Sequence, residues 1–289
     1  MKTKFFLSIM VLALLISACA PTAPQAPAAS AADTKLNITV SILPQKYFVE
    51  RVGGEFVNVN VMVQPGNSPA TYEPKPDQMT ALAQADAYVS IGVPFEKAWL
   101  EKIQAANANM KMVDTTQGIE RAATPAGGFD PHIWLSPSLV KIQSETIYKA
   151  LAELDPAHAA DYKANLEAFI QDIDALDADI RATLEKTDTK KFIVFHPAWG
   201  YFARDYGLEM IPIEVGGQEP SAQELAGLIE KAQAENIKVV FVQPEFSQED
   251  AETIATEIGG KTLSIGALNP DWLGNLKSVA ETFAAVLNQ

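Results

Sequence analysis

The run Ala159–Lys186, AADYKANLEAFIQDIDALDADIRATLEK, contains neither glycine nor proline. Leu166, Phe169, Ile170, Ile173, Leu176, Ile180 and Leu184 recur along it at three- and four-residue steps. That spacing keeps the apolar side chains on one face of a helix. At 1.5 Å per residue the helix is about 40 Å long, more than a crossover helix needs. The stripe lasts only about three heptads, which argues weakly for a coiled-coil partner. The stretch therefore predicts a rigid connector between two folded halves.

Both flanks of the connector carry the same grammar. Before it, the apolar runs Leu36–Ile42, Val57–Val63, Ala87–Ile91 and Lys111–Val113 read as strands, separated by helices over Gln45–Val52, Pro76–Ala85 and Glu96–Ala106. After it, strands over Lys191–Phe195, Met210–Val215, Lys238–Val242 and Lys261–Ile265 alternate with helices over Trp199–Tyr206, the segment from Ser221 to Glu235, Gln248–Ile258 and Trp272–Leu287. Ser221 with Glu224 three residues on forms a capping-box signature. Strands separated by single helices predict parallel βαβ units with right-handed crossovers. The predicted architecture is α/β, with two Rossmann-like lobes of parallel sheet over residues 35–158 and 188–289, joined by the helix 159–187.

The N-terminus reads as an address. Met1-Lys2-Thr3-Lys4 is basic, Phe5 to Ile16 is apolar, and Ile16-Ser17-Ala18-Cys19 closes with small residues before a cysteine. This predicts a lipoprotein signal peptide over residues 1–18, acylation of Cys19, and an extracytoplasmic protein anchored to the cell membrane by lipid. Cys19 is the only cysteine, so no disulfide can form within the chain. The Ala-, Pro- and Ser-rich segment 19–34 has too little apolar surface to fold and reads as a flexible tether. A net charge of −14 and the lack of a basic run exclude nucleic acid as a partner.

Only three histidines are present. His132 lies in Asp130-Pro131-His132-Ile133-Trp134-Leu135 and His196 in Phe195-His196-Pro197-Ala198-Trp199-Gly200-Tyr201. His196 directly follows a predicted strand, at the edge where parallel α/β sheets collect ligands. His132 follows a glycine-rich loop and precedes the helix that Ser136 and Pro137 start. One imidazole from each lobe points to a site in the cleft between them, since neutral imidazole is the commonest protein ligand for borderline divalent metals. The competing reading makes each a hydrogen-bonded loop residue with no ligand. His158, in Asp155-Pro156-Ala157-His158, reads as an exposed helix start without a specific role. Gly260-Lys261-Thr262 resembles the end of a phosphate loop, but it follows a helix and precedes a strand, the reverse of that motif, and no Gly-x-Ser-x-Gly, His-Glu-x-x-His or Gly-x-Gly-x-x-Gly pattern occurs.

Several segments together resemble the zinc- and manganese-binding lipoproteins of bacterial ABC importers. They are Pro65-Gly66 with Tyr72-Glu73-Pro74, the Asp130–Leu135 run, His196 with Gly200-Tyr201-Phe202 and Tyr206-Gly207, Glu219-Pro220-Ser221, and Phe241-Val242-Gln243-Pro244 with Phe246-Ser247. The resemblance spans nearly everything from Lys35 onward. It implies a non-enzymatic, monomeric carrier that captures a divalent ion between two lobes, uses no organic cofactor and delivers the ion to an ABC permease. It also implies four metal ligands, of which only His132 and His196 carry over. Ala70 stands where a histidine is expected, and Gly266-Ala267-Leu268 where an aspartate is expected.

Two imidazoles leave a divalent ion half coordinated. Oxygens that fall on loops or strand ends are those of Gln45, Glu73, Glu214, Glu219, Gln243, Glu245 and Asp271, with Glu219 and Asp271 also reading as helix caps. Two other functions stay open on the residues alone. One keeps the carrier but gives it a metal chelate or a non-metal solute. The other is a surface-anchored metallohydrolase with Glu73 or Glu245 as general base.

Overall fold

The computed structural model describes residues 34–125, 127–214, 218, 220–246 and 248–288. The signal peptide, Cys19 and most of the tether lie outside the described residues, as does Glu219. Residues 34–289 form one compact unit.

The first half contains β1 (Leu36–Val40), α1 (Leu43–Gly53), β2 (Val57–Val61), α2 (Pro76–Leu82), β3 (Ala87–Ser90), α3 (Pro94–Ala106), β4 (Lys111–Asp114) and α4 (Pro137–Leu154). Its four strands are all parallel, in the order β2-β1-β3-β4. The long helix α5 (Ala159–Leu184) follows. The second half contains β5 (Lys191–Val194), α6 (Gly200–Tyr206), β6 (Glu209–Pro212), α7 (Ala222–Ala234), β7 (Val239–Val242), α8 (Gln248–Glu257), β8 (Lys261–Ser264) and α9 (Trp272–Leu287). Its sheet repeats the pattern as β6-β5-β7-β8, again parallel throughout. In each sheet the chain turns to opposite sides of the first strand, which opens a crevice at the strand's C-terminal end.

The central strands are apolar because both their faces are covered. Ile38 and Val40 face Val59 and Val61 on one side and Ala87 and Val89 on the other. In the second sheet all four residues of β7, Val239 to Val242, are buried. Near-continuous apolar strands are what parallel sheets with helices on both faces require.

Helix α5 runs about 39 Å at 1.5 Å per residue. Its stripe buries Tyr162, Leu166, Phe169, Ile173, Leu176, Ile180 and Leu184. Ile170 is only partly covered. The N-terminal part packs against α1 and α4 of the first half, and α9 of the second half lies along the same helix. Trp272 at the start of α9 meets Phe48 of α1 edge-on at 5.2 Å, and Phe169 of α5 at 6.3 Å. Lower down, Phe283 of α9 touches Phe192 at 4.5 Å and Phe241 at 4.7 Å, on the second sheet. Two helices thus join the first lobe and one face of the second sheet in one apolar core, while the other face of that sheet, with Ile193, Phe195, Val240 and Val242, has a core of its own.

Hydrogen bonds sew the same boundary. The indole of Trp134 donates to the carbonyl of Ala267 (2.7 Å), and the indole of Trp272 donates to the carbonyl of Trp134 (2.6 Å). Tyr201 of α6 donates its hydroxyl to the Asp130 carbonyl (3.0 Å) and accepts the Ala122 N–H (2.9 Å). Ser136 caps α4 by accepting the Leu139 N–H, as Ser136-Pro137 predicts, and donates to Asp205 of the other half (2.5 Å).

One expectation fails here. His158 is not an idle exposed residue: its Nδ1 is 2.6 Å from Asp155 Oδ2, and its ring stacks on Phe56 at 4.0 Å. Asp155 also accepts the Tyr162 hydroxyl (2.8 Å). The turn before α5 folds the imidazole back against Phe56, where it fastens the base of the connector to the first lobe.

Candidate metal site at the cleft

Three strand ends of the second lobe converge on one point. β5 ends at Val194, and His196 follows in the crevice. Glu214, just past β6, hydrogen-bonds through its N–H to the Phe195 carbonyl (3.0 Å), which fixes it beside His196. Gln243, just past β7, donates its side-chain amide to the His196 carbonyl (2.9 Å). His196 Nδ1 lies 2.5 Å from Glu214 Oε2. Phe246 stacks on the face of the ring at 4.3 Å and 17°.

The first lobe presents His132 in a similar way. Asp130 Oδ1 accepts the backbone N–H of His132 (2.9 Å) and lies 2.7 Å from its ring Nδ1. An Asp accepting from the residue two positions on forms a local turn, so one carboxylate sets both backbone and ring. Ile133-Trp134-Leu135 then forms a fully buried 3-10 turn, and Trp134 packs beside the His132 ring at 5.1 Å.

The two rings meet through their remaining nitrogens. His196 Nε2 and His132 Nε2 are 3.4 Å apart, with the rings near perpendicular at 73°. With each Nδ1 set against a carboxylate, which can only accept, a neutral ring carries its lone pair on Nε2. Two lone pairs directed at one another repel unless a cation or proton lies between them. Two nitrogens bound to one tetrahedral zinc at about 2.0–2.1 Å stand about 3.3–3.4 Å apart. The observed separation fits that chord.

Electrostatics agree. The side chains of His132 and His196 are 14% and 18% exposed. Burial holds the His196 imidazole below its usual range, against the opposing pull of Glu214, which keeps the ring in its ligating form. Asp130 and Glu214 supply negative charge one layer behind the nitrogens, an arrangement that orients a metal-binding imidazole and raises its basicity.

The oxygens flagged in the sequence take other places. Gln45 is fully buried and caps α1, accepting from the N–H groups of Ser41 (3.0 Å) and Ile42 (3.2 Å). Glu73 is exposed and off the cavity lining. Asp271 caps α9 by accepting the Gly274 N–H (3.2 Å). Glu214 and Gln243 position His196, and Glu245 lines the cavity with burial pushing its carboxyl up. Among the described residues no group of three His, Cys, Asp or Glu side chains gathers around one point.

The imidazole pair opens into a cavity of about 570 Å³. Ala70, Ala267 and Leu268 line it, whereas Gly266 faces a separate cavity of about 270 Å³. Of the two positions where the resemblance implies further ligands, Ala70 thus reaches this cavity directly, and the second is represented there by Gly266's two successors.

Two parallel-sheet lobes on a shared helical spine, with facing nitrogens at the strand ends of the cleft, define a two-lobed solute-binding protein. Residues 38–286 match the family described as the zinc-uptake complex component A, periplasmic, and the chain belongs to that family. It is 29% identical over 274 residues to the high-affinity zinc uptake system protein ZnuA of Bacillus subtilis, covering 88% of this chain and 85% of that protein. A crystal structure of ZnuA superposes with a TM-score of 0.86 at 52% identity, covering 88% of this chain and 100% of the other. A ZnuA deletion mutant with zinc bound gives a TM-score of 0.85 at 51% identity, with 88% and 99% coverage.

Proposed function

We propose that this chain is an extracytoplasmic carrier that captures a zinc ion between His132 and His196 and hands it to an ABC permease. The observation that carries the assignment is the pair of Nε2 atoms 3.4 Å apart, each with a carboxylate on its Nδ1. Imidazole donors suit zinc better than manganese, which favours oxygen. Membership in a zinc-uptake family and the zinc-named relatives support the same ion.

The carrier works as a monomer tethered through an acylated Cys19, and it performs no catalysis. Glu73 lies off the cavity, so a hydrolase would have to rely on Glu245 alone as its base. The Trp134, Trp272, Tyr201 and Ser136 bonds across the lobes, together with α5 and α9, oppose a wide hinge. Capture and release then proceed by ordering of the cleft loops and small rocking of the lobes.

Zinc and manganese titrations of the full chain test the assignment. One zinc site per chain is expected, weakened sharply in His132→Ala and in His196→Ala. No metal-dependent rise in melting temperature, or an equal rise in the double variant, would overturn it.

A further inference from the structure

The proposed zinc site is half built by the protein, and what surrounds the open half is a chamber rather than a socket. A closed tetrahedral ion needs four donors. The two imidazoles supply two, and no third His, Cys, Asp or Glu joins them among the described residues. The lining presents the hydrocarbon of Ala70, Ala267 and Leu268, and Glu245 is the one carboxylate on it that is not paired with an imidazole. An ion completed by two waters needs roughly 60 Å³ at about 30 Å³ per water. The cavity offers about 570 Å³, within the range of roughly 300–1,000 Å³ typical of small-organic-ligand sites.

The walls have the character of an organic site. Pro69, Val93, Pro94 and Phe129 line the cavity with the residues above. Phe129 is 57% exposed, the one large hydrophobic side chain so exposed among the described residues. Lys97 is the only lysine or arginine on the lining, and it forms no ion pair among the described residues. Asp130 and Glu214, by contrast, are both committed to imidazoles.

We infer that this cleft takes its divalent ion together with a small bidentate amino-carboxylate chelator, whose nitrogen and oxygen complete the metal's coordination. The chelator's apolar body lies against Phe129 and Leu268, and its carboxylate faces Lys97. This inference rests on the metal-carrier reading and names the form in which the metal arrives. It also accounts for alanine at position 70: a histidine there would supply a donor and fill space that the chelator occupies.

Equilibrium dialysis of the full chain, with zinc and chelator both quantified, tests it. The probes are zinc alone, zinc with picolinate and zinc with L-phenylalanine, in a non-coordinating buffer. The expected result is retention of zinc and chelator in equal amounts, with zinc held about ten-fold or more tighter than zinc alone. Tight retention of zinc alone, loosened by either chelator, would overturn the chelate and leave the metal carrier intact. No zinc retained under any condition would overturn both. Ala70→His supplies a further test: zinc alone should bind more tightly and the chelator's enhancement should shrink. An unchanged enhancement in a folded Ala70→His variant would refute the inference.

Discussion

Glu214 offers the sharpest quantitative prediction. Its Oε2 is 2.5 Å from His196 Nδ1 and its side chain is 11% exposed, so solvent screens the contact little. Loss of such a partner behind a metal-binding imidazole costs about 10–100-fold in affinity, or about 1.4–2.8 kcal/mol. Glu214→Ala removes both the charge and the acceptor and should lose that full amount. Glu214→Gln keeps an acceptor of the same reach and removes only the charge. A neutral hydrogen bond is worth about half a charge-assisted one, so the glutamine variant should lose roughly three- to ten-fold. Competition for zinc against a chromogenic indicator measures both values, and melting curves without metal establish that each variant folds. Wild-type affinity in Glu214→Ala would refute the orienting role. A loss as complete as that of His196→Ala would instead make Glu214 a direct ligand.

Other consequences can be checked independently. Trp134→Phe strands the Ala267 carbonyl without its indole donor (2.7 Å) in a buried seam. That should cost about 1–3 kcal/mol in urea unfolding, besides the lost volume, and an unchanged midpoint would show that the seam contributes nothing. Glu96 is buried beside β3 and accepts from the N–H groups of Ile91 (3.0 Å) and Gly92 (2.7 Å) and from the Ser41 hydroxyl. Burial nevertheless raises its carboxyl above the ordinary range. A raised folded-state value means the stabilising contribution is fully present below the unfolded-state value and is lost as pH rises through the folded one. Glu96→Gln should flatten that part of the stability–pH curve in thermal melts; an identical slope in the variant would assign the slope to other groups.

The fold was legible because its two periodicities are strong and local. The α5 stripe needs only the helical repeat, and β7 announces itself as Val239-Val240-Phe241-Val242 between polar neighbours. Element ends were harder. The strand expected over Leu36–Ile42 stops at Val40, because Gln45 turns back to take the Ser41 and Ile42 N–H groups into the cap of α1. Scarcity and position pointed to the imidazoles: there are few histidines, and two stand near strand or helix ends. Asp130 was visible in principle, since an acid two residues before a histidine can fold back onto it. Glu214 was not, because its role depends on β6 lying beside β5 in register. The Trp134–Ala267 and Trp272–Trp134 bonds join residues 133 and 138 positions apart, and no local pattern encodes them.

The central claim is that one ion lies between two imidazoles, and a zinc-soaked crystal read at the zinc absorption edge tests it most directly. The account predicts one anomalous peak between the lobes, about 2.0–2.1 Å from both His132 Nε2 and His196 Nε2, with Asp130 and Glu214 still on the opposite ring nitrogens. A zinc peak elsewhere, with the two Nε2 atoms still facing each other unliganded, would contradict it.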